Sequence, residues 1–292
     1  MEIPENYKSL TTLDISCKKL REIPSWVSEC KNLVKLDCSF NYIKKISNLP
    51  STLKLLDCYS NQITDLDNLP YKLQELICCN NQITQLNNLP QTLKYLNCSE
   101  NNIKQLNNLP LTLEYLDCTN NIITNLHNLQ LGLEKLYCAK NNITKLDNLP
   151  PTLEKLYCQH NKITNLDNLP PTLKELSCPG NIIKQLDNLP QTLKELNCCR
   201  NQIIQLDNLP TTLEILYCSW NQITHLDNLP IKLKKLYCSS NKITKLNNIP
   251  ERLKYFQCYL DSSISMFTTT LEYNFEPTLE NIRKYNKQIN IN

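Results

Sequence analysis

The sequence predicts a mainly β repeat solenoid with one parallel sheet of about 13 strands. Three observations predict it. First, a twenty-residue unit recurs eleven times, marked by Asn48-Leu49-Pro50, Asn68-Leu69-Pro70 and so on to Asn248-Ile249-Pro250, with Gln130 once in the Pro slot. Second, each unit reads LxxLxCxxNxIxxLxxLPxx, as in Leu53, Leu56, Cys58, Asn61, Ile63, Leu66, Leu69 and Pro70. Third, Leu-x-x-Leu-x-Cys alternates inward and outward, which is strand periodicity. Units that repeat one path must lay their strands parallel. Such a stack offers a long repeated surface and no catalytic cleft, so binding is the expected function and enzyme activity is not.

Residues 1–32 are expected to form an N-terminal cap and an atypical first repeat. Leu10–Asn32 is a longer, 23-residue unit in which Ile23-Pro24 precedes Val27 and Cys30 at helical spacing, so a turn of helix is expected there. Residues 33–258 form the regular solenoid. In the copy beginning at Leu53, Leu56 and Cys58 point in, while Leu55, Asp57 and Tyr59 point out. The return from Thr64 to Lys72 is short and contains Pro70, which fixes φ and holds the residue before it extended. The outer, convex side is therefore expected to be extended or polyproline-like, the solenoid to curve little, and its sheet to run about 58 Å. Asn41, Asn61 and their equivalents follow each strand, where an amide can join backbone groups of adjacent turns. A second Asn column, Asn48 to Asn248, suits a turn bonded to its own backbone. Residues 259–292 break the pattern. A β-leaning stretch to Glu276 and a short helix over Pro277–Gln288 are expected to cap the last repeat, with a docking peptide as the alternative.

The net charge is +3 over 292 residues, with both signs interleaved. No long-range attraction to nucleic acid or anionic lipid follows. No apolar run is long enough to span a bilayer, and the Met1 end lacks a basic-then-apolar leader. Of the 16 cysteines, twelve occupy one slot, from Cys38 and Cys58 at twenty-residue steps to Cys258. Free Cys behaves as a small buried hydrophobe, so a reduced thiol ladder in a cytoplasmic protein is expected. A metal array would need ligands converging on one point, whereas this row runs along the sheet at about 4.8 Å per strand. Cys79 and Cys199 are expected to point outward, roughly 29 Å apart and unable to pair.

LxxLxCxxNxI followed by LxxLP resembles the leucine-rich-repeat family over about 240 residues. The twenty-residue length with Leu-Pro is similar to the short bacterial subclass of injected effectors of the Yop and Ipa type. Cys in place of Leu, with the Asn, Ile and Lys bias, resembles leucine-rich-repeat proteins of amoebal giant viruses. The resemblance implies a right-handed horseshoe with its parallel sheet on the concave face, and protein binding without chemistry. The Ipa-type ligases add a large helical catalytic domain. About 34 residues follow Cys258, so that activity is not expected here.

Other chemistry finds little support in the sequence. His127, His160 and His225 occupy different slots and are too far apart to cooperate in nucleophilic catalysis. There is no Gly-rich phosphate loop. Asn142-Ile143-Thr144 matches a glycosylation acceptor, which the missing leader makes a chance match. Asp147, Asp167, Asp187, Asp207 and Asp227 form an acidic row open to a cation, but Asn87, Asn107 and Asn247 fill the same slot, so the shared requirement is a hydrogen-bond acceptor. No catalytic, cofactor or metal residues are expected.

The candidate partner-binding residues are outward-facing aromatics. Ile215, Tyr217, Tyr237, Tyr255 and Tyr259, with Trp220 at the adjacent rim, form one cluster. Tyr95, Tyr115, Tyr137 and Tyr157 form another. Glu175, Ser177, Glu195, Asn197 and Arg200 make a polar saddle between them. Tyr and Trp are enriched at interface hot spots, and exposed aromatic patches mark binding surfaces; cross-strand pairing that merely suits a sheet is the alternative. Blocks of charge (Glu114, Glu134, Glu154, then Lys174, Lys194) would tune specificity more than affinity. The expectation is a monomeric cytoplasmic adaptor that binds a protein, with no nucleic acid, membrane or cofactor. The alternative is a self-associating scaffold or virion protein.

Overall fold

The structure, a computed structural model, describes residues 3–243, 249–250 and 252–258. It divides into two compact units, Met1–Ile143 with Asn148–Leu153, and Thr144–Asp147 with Glu154–Asn292. The first unit carries β1 (Thr12–Asp14), β2 (Lys35–Asp37), β3 (Leu55–Asp57), β4 (Glu75–Ile77), β5 (Tyr95–Asn97), β6 (Tyr115–Asp117) and β7 (Lys135–Tyr137). The second carries β8 (Lys155–Tyr157), β9 (Glu175–Ser177), β10 (Glu195–Asn197), β11 (Ile215–Tyr217), β12 (Lys235–Tyr237) and β13 (Tyr255–Gln257). Strands of each unit pair in chain order and in parallel, with partners 23 residues apart between β1 and β2 and twenty apart elsewhere, as in Leu56↔Leu76 and Leu216↔Leu236. The fold is the expected parallel-sheet solenoid.

Each strand is three residues long, and its middle residue is the one that points inward. From β2 to β12 the middle residues, Leu36, Leu56, Leu76 and their equivalents, are buried, as are the Leu three residues before, the Cys two after and the Ile seven after, whereas Leu13 on β1 and Phe256 on β13 are half-buried. Burying one Leu or Ile stabilises by roughly 1.5–3 kcal/mol, and every turn repeats that gain. Past the strand the ladder continues, with the Cys58 amide donating to the Ile77 carbonyl at 2.8 Å. After the first repeat, the described returns contain no helix. Pro50, Pro70, Pro90 and their equivalents open tight turns in which the Leu three residues on donates to the Pro carbonyl, at 3.0 Å for Leu73 to Pro70. Pro suits that corner because its missing N–H is not needed there.

The first Asn column behaves as expected. Asn81 donates to the carbonyls of Cys58, Cys78 and Cys79 and accepts the Ile63 amide at 2.9 Å. The second column differs. Asn48, Asn68, Asn88 and their equivalents to Asn228 sit at φ near +60°, a region Asn tolerates better than most residues. The side chains of several reach the preceding turn: Asn48 donates to the Ile23 carbonyl at 2.8 Å and Asn88 to Asp67 at 2.8 Å. Asn87 and Asn107 accept in the same way from Asn108 and Asn128. In these repeats the Asp or Asn slot supplies an acceptor, as expected for that row.

The first repeat contains a 3₁₀ turn over Ser25–Glu29 that buries Trp26 and Val27, close to the expected helical turn. The expected C-terminal strand and helix, 259–292, lie outside the described residues.

Candidate functional site

The ladder thiols are buried. Burial pushes Cys98, Cys118, Cys158 and Cys178 up from the ordinary thiol range, Cys158 to about 12. Thiols so placed stay protonated at neutral pH and are poorly nucleophilic core groups. Cys79 and Cys199 are half-buried rather than fully outward, and burial raises both, Cys79 to about 11. The exposed thiol is Cys17, in the irregular first repeat. It escaped the sequence reading because no column predicts its slot. No group of three or more His, Cys, Asp or Glu side chains among the described residues could hold a metal.

In the first unit the repeat brings three tyrosines together. Tyr95 and Tyr115 are direct register partners on β5 and β6, and their rings stack at 4.2 Å with 13° between planes. Tyr137 continues diagonally, 5.2 Å from Tyr115. All three are half-buried. Burial, then the neighbouring Tyr95 phenol, pushes the Tyr115 phenol well up. Tyr157 belongs to the second unit, where its hydroxyl donates to Glu175 at 2.8 Å. A further pair was not foreseen: Phe40 lies edge-on to Tyr59 at 4.9 Å.

In the second unit, Tyr217 and Tyr237 are register partners on β11 and β12. Their rings stack at 4.8 Å, 14° from parallel. Ile215 is aligned with Lys235, and Lys235 with Tyr255, along the neighbouring row. Tyr255 is 58% and Trp220 59% exposed. Trp220 sits at φ +60°, costly for a bulky side chain. Its ring lies under the Arg200 guanidinium at 5.5 Å rather than joining the tyrosine stack. Lys235 lies over the Tyr255 ring at 5.3 Å. The repeat places each cation beside its ring, in the same slot of the neighbouring repeat, but the slots gave no sign that the side chains lean together. Tyr259 lies outside the described residues.

The charge blocks are partly paired between neighbouring repeats. Lys94 meets Glu114 at 2.8 Å, Lys174 meets Glu154 and Lys234 meets Glu214 at 2.5 Å, and Lys155 meets Glu175 at 2.7 Å. Such exposed pairs add little stability, but they remove those charges from the set open to a partner.

A family model described as leucine-rich repeats (2 copies) matches residues 8–51 and 132–171. A search of curated proteins finds no match. Among solved structures, YopM from Yersinia enterocolitica is 30% identical, with a TM-score of 0.67, over 89% of this chain and 65% of that one. The functional domain of InlJ from Listeria monocytogenes, which includes a cysteine ladder, is 30% identical with a TM-score of 0.66, over 87% of this chain and 54% of that one. An internalin, InlF, from Listeria monocytogenes is 25% identical with a TM-score of 0.70, over 88% of each chain. This chain thus spans less than two thirds of the YopM and InlJ chains. No helix of the described residues is long and apolar enough to cross a membrane.

Proposed function

We propose that this chain, whose repeats match a leucine-rich-repeat family model and whose fold is like that of YopM and InlF, is a non-enzymatic adaptor that binds a protein on its concave, strand-bearing face. The observation that carries this reading is the second unit's aromatic face, with Tyr217 stacked on Tyr237 and Trp220 and Tyr255 largely exposed. Large rings that are already ordered lose little entropy on binding, which makes them efficient anchors. The Tyr95–Tyr115–Tyr137 cluster is a second anchor. The thiol and Asn ladders hold the face rigid. The twenty-residue unit and the likeness to YopM support the short, effector-like subclass; the Cys slot and the Asn, Ile and Lys bias support the likeness to giant-virus proteins. Protonated thiols suit a reducing, intracellular setting.

The test is affinity for a protein recovered from host cytosol by pull-down. The variant Y217A/W220A/Y237A should lose binding while circular dichroism stays unchanged. Normal binding by this variant, with loss on changing the outer face, would sink the concave-face reading. Self-association is the second reading, favoured by Leu111 and Leu131, exposed at matching positions of successive repeats. Size-exclusion chromatography at low micromolar concentration separates the two: an adaptor elutes as a monomer, a scaffold as larger species.

A further inference from the structure

We propose that the second unit's aromatic face takes an acidic segment of its protein partner, with Arg200 and Lys235 as the carboxylate-binding cations. This rests on the adaptor reading and adds the partner's chemistry to it.

Register places the relevant side chains in two rows. One runs Glu195, Ile215, Lys235, Tyr255; the other runs Asn197, Tyr217, Tyr237, Gln257. Arg200 and Trp220 stand beside these rows, three residues past Asn197 and Tyr217. The two cations flank the Tyr217–Tyr237 stack, each held over an exposed ring at 5.5 and 5.3 Å. An aromatic face attracts a cation without neutralising it. A guanidinium lying on a ring still presents its N–H edge, which matches a carboxylate in a two-pronged hydrogen bond.

Neither cation meets a carboxylate among the described residues, whereas Lys234 and Lys155 on the same unit do. The face therefore holds two oriented positive charges outside any ion pair of the described residues, around the stacked rings. A segment with an apolar or aromatic side chain on the Tyr217–Tyr237 edge and carboxylates on either side would satisfy both. Glu195 opposes this: it adjoins Ile215 in register, and its charge, after burial, helps raise the Tyr217 phenol. A nucleic acid fits less well. Two cations beside a carboxylate make a poor phosphate track, and rings already stacked on each other offer no gap between them for a base.

The experiment is selection of random displayed peptides on the immobilised full chain. The expected result is enrichment of Asp and Glu around an apolar residue. A synthetic copy of a selected peptide should bind R200Q/K235Q about ten-fold more weakly than the parent. It should bind E195Q a few-fold more tightly, and its affinity should fall with added salt. Absence of acidic enrichment, or unchanged affinity for R200Q/K235Q, overturns the charge assignment. If Y217A/Y237A still loses binding in that case, the aromatic reading survives without it. If selected peptides bind Y217A/W220A/Y237A as well as the parent, or if none is selected, both readings fail. Displacement of the peptide by tighter-binding oligouridylate overturns the proposal in favour of phosphate recognition.

Discussion

The Ile123 amide donates to the Asn141 side-chain oxygen at 2.9 Å, joining two successive turns through a residue that is only 7% exposed. The same side chain donates to the carbonyls of Cys118, Cys138 and Ala139 at 3.0–3.1 Å. One amide thus satisfies backbone groups on both turns, and it does so with both its donor and its acceptor.

Asn141→Ala should therefore leave the buried Ile123 amide and its partner carbonyls short of bonds, costing about 1–3 kcal/mol. Asp67→Asn should cost within about 0.5 kcal/mol, because the new side chain still offers an acceptor to Asn88. Urea denaturation of both variants gives the comparison. A larger loss for Asp67→Asn would mean that its charge matters, and would reopen the cation reading of that row.

Stability should fall steeply in alkali. Burial raises Cys98, Cys118, Cys178, Cys198 and Cys218 in the folded chain. The unfolded chain releases these protons in the ordinary thiol range while the folded chain keeps them. Their stabilising contribution is fully present below the unfolded pKa and is lost as pH rises toward the folded values. Above about pH 9 each such thiol removes about 1.4 kcal/mol of stability per pH unit. Denaturation midpoints between neutral pH and about pH 10 check this. A flat profile would mean that these thiols are not buried as neutral groups.

Maleimide should modify Cys17 first, since it is the exposed thiol. Cys79 and Cys199 should follow slowly, and the ladder only in denaturant. Peptide mapping after brief labelling resolves the order. Rapid native labelling of Cys118 or Cys198 would contradict the packed core.

Gly180 tests a steric contact. Its φ is +68°, and an added Cβ would lie 2.7 Å from Nδ1 of His160 in the turn before. Gly180→Ala should cost on the order of 1 kcal/mol, and less when His160 is also changed to Ala. A double-mutant cycle reads the coupling. Equal costs in both backgrounds would show that the ring simply moves aside.

The strand positions, their parallel order, the buried Leu, Cys and Ile columns and the role of Asn141 and its equivalents were all legible in the sequence. Repetition makes this possible: a residue's slot names its neighbours, because the same slot twenty residues away packs beside it. Tyr95 beside Tyr115 and Tyr217 beside Tyr237 follow from that rule alone. What only the tertiary structure decided is how side chains lean and where the backbone turns left-handed. Phe40, Arg200 and Trp220 adopt positive φ without being glycine, since the hydrogen-bonded turn that all repeats share outweighs each residue's own preference. Trp220 pairs with Arg200 rather than the tyrosines, and Thr92 donates from one slot to the carbonyls of Tyr71 and Leu73, both at 2.8 Å. Cys79 and Cys199 are half-covered although their slot points outward. A period specifies which residues are adjacent; rotamers, burial by neighbouring side chains and local backbone geometry depend on packing in three dimensions, which the period does not encode.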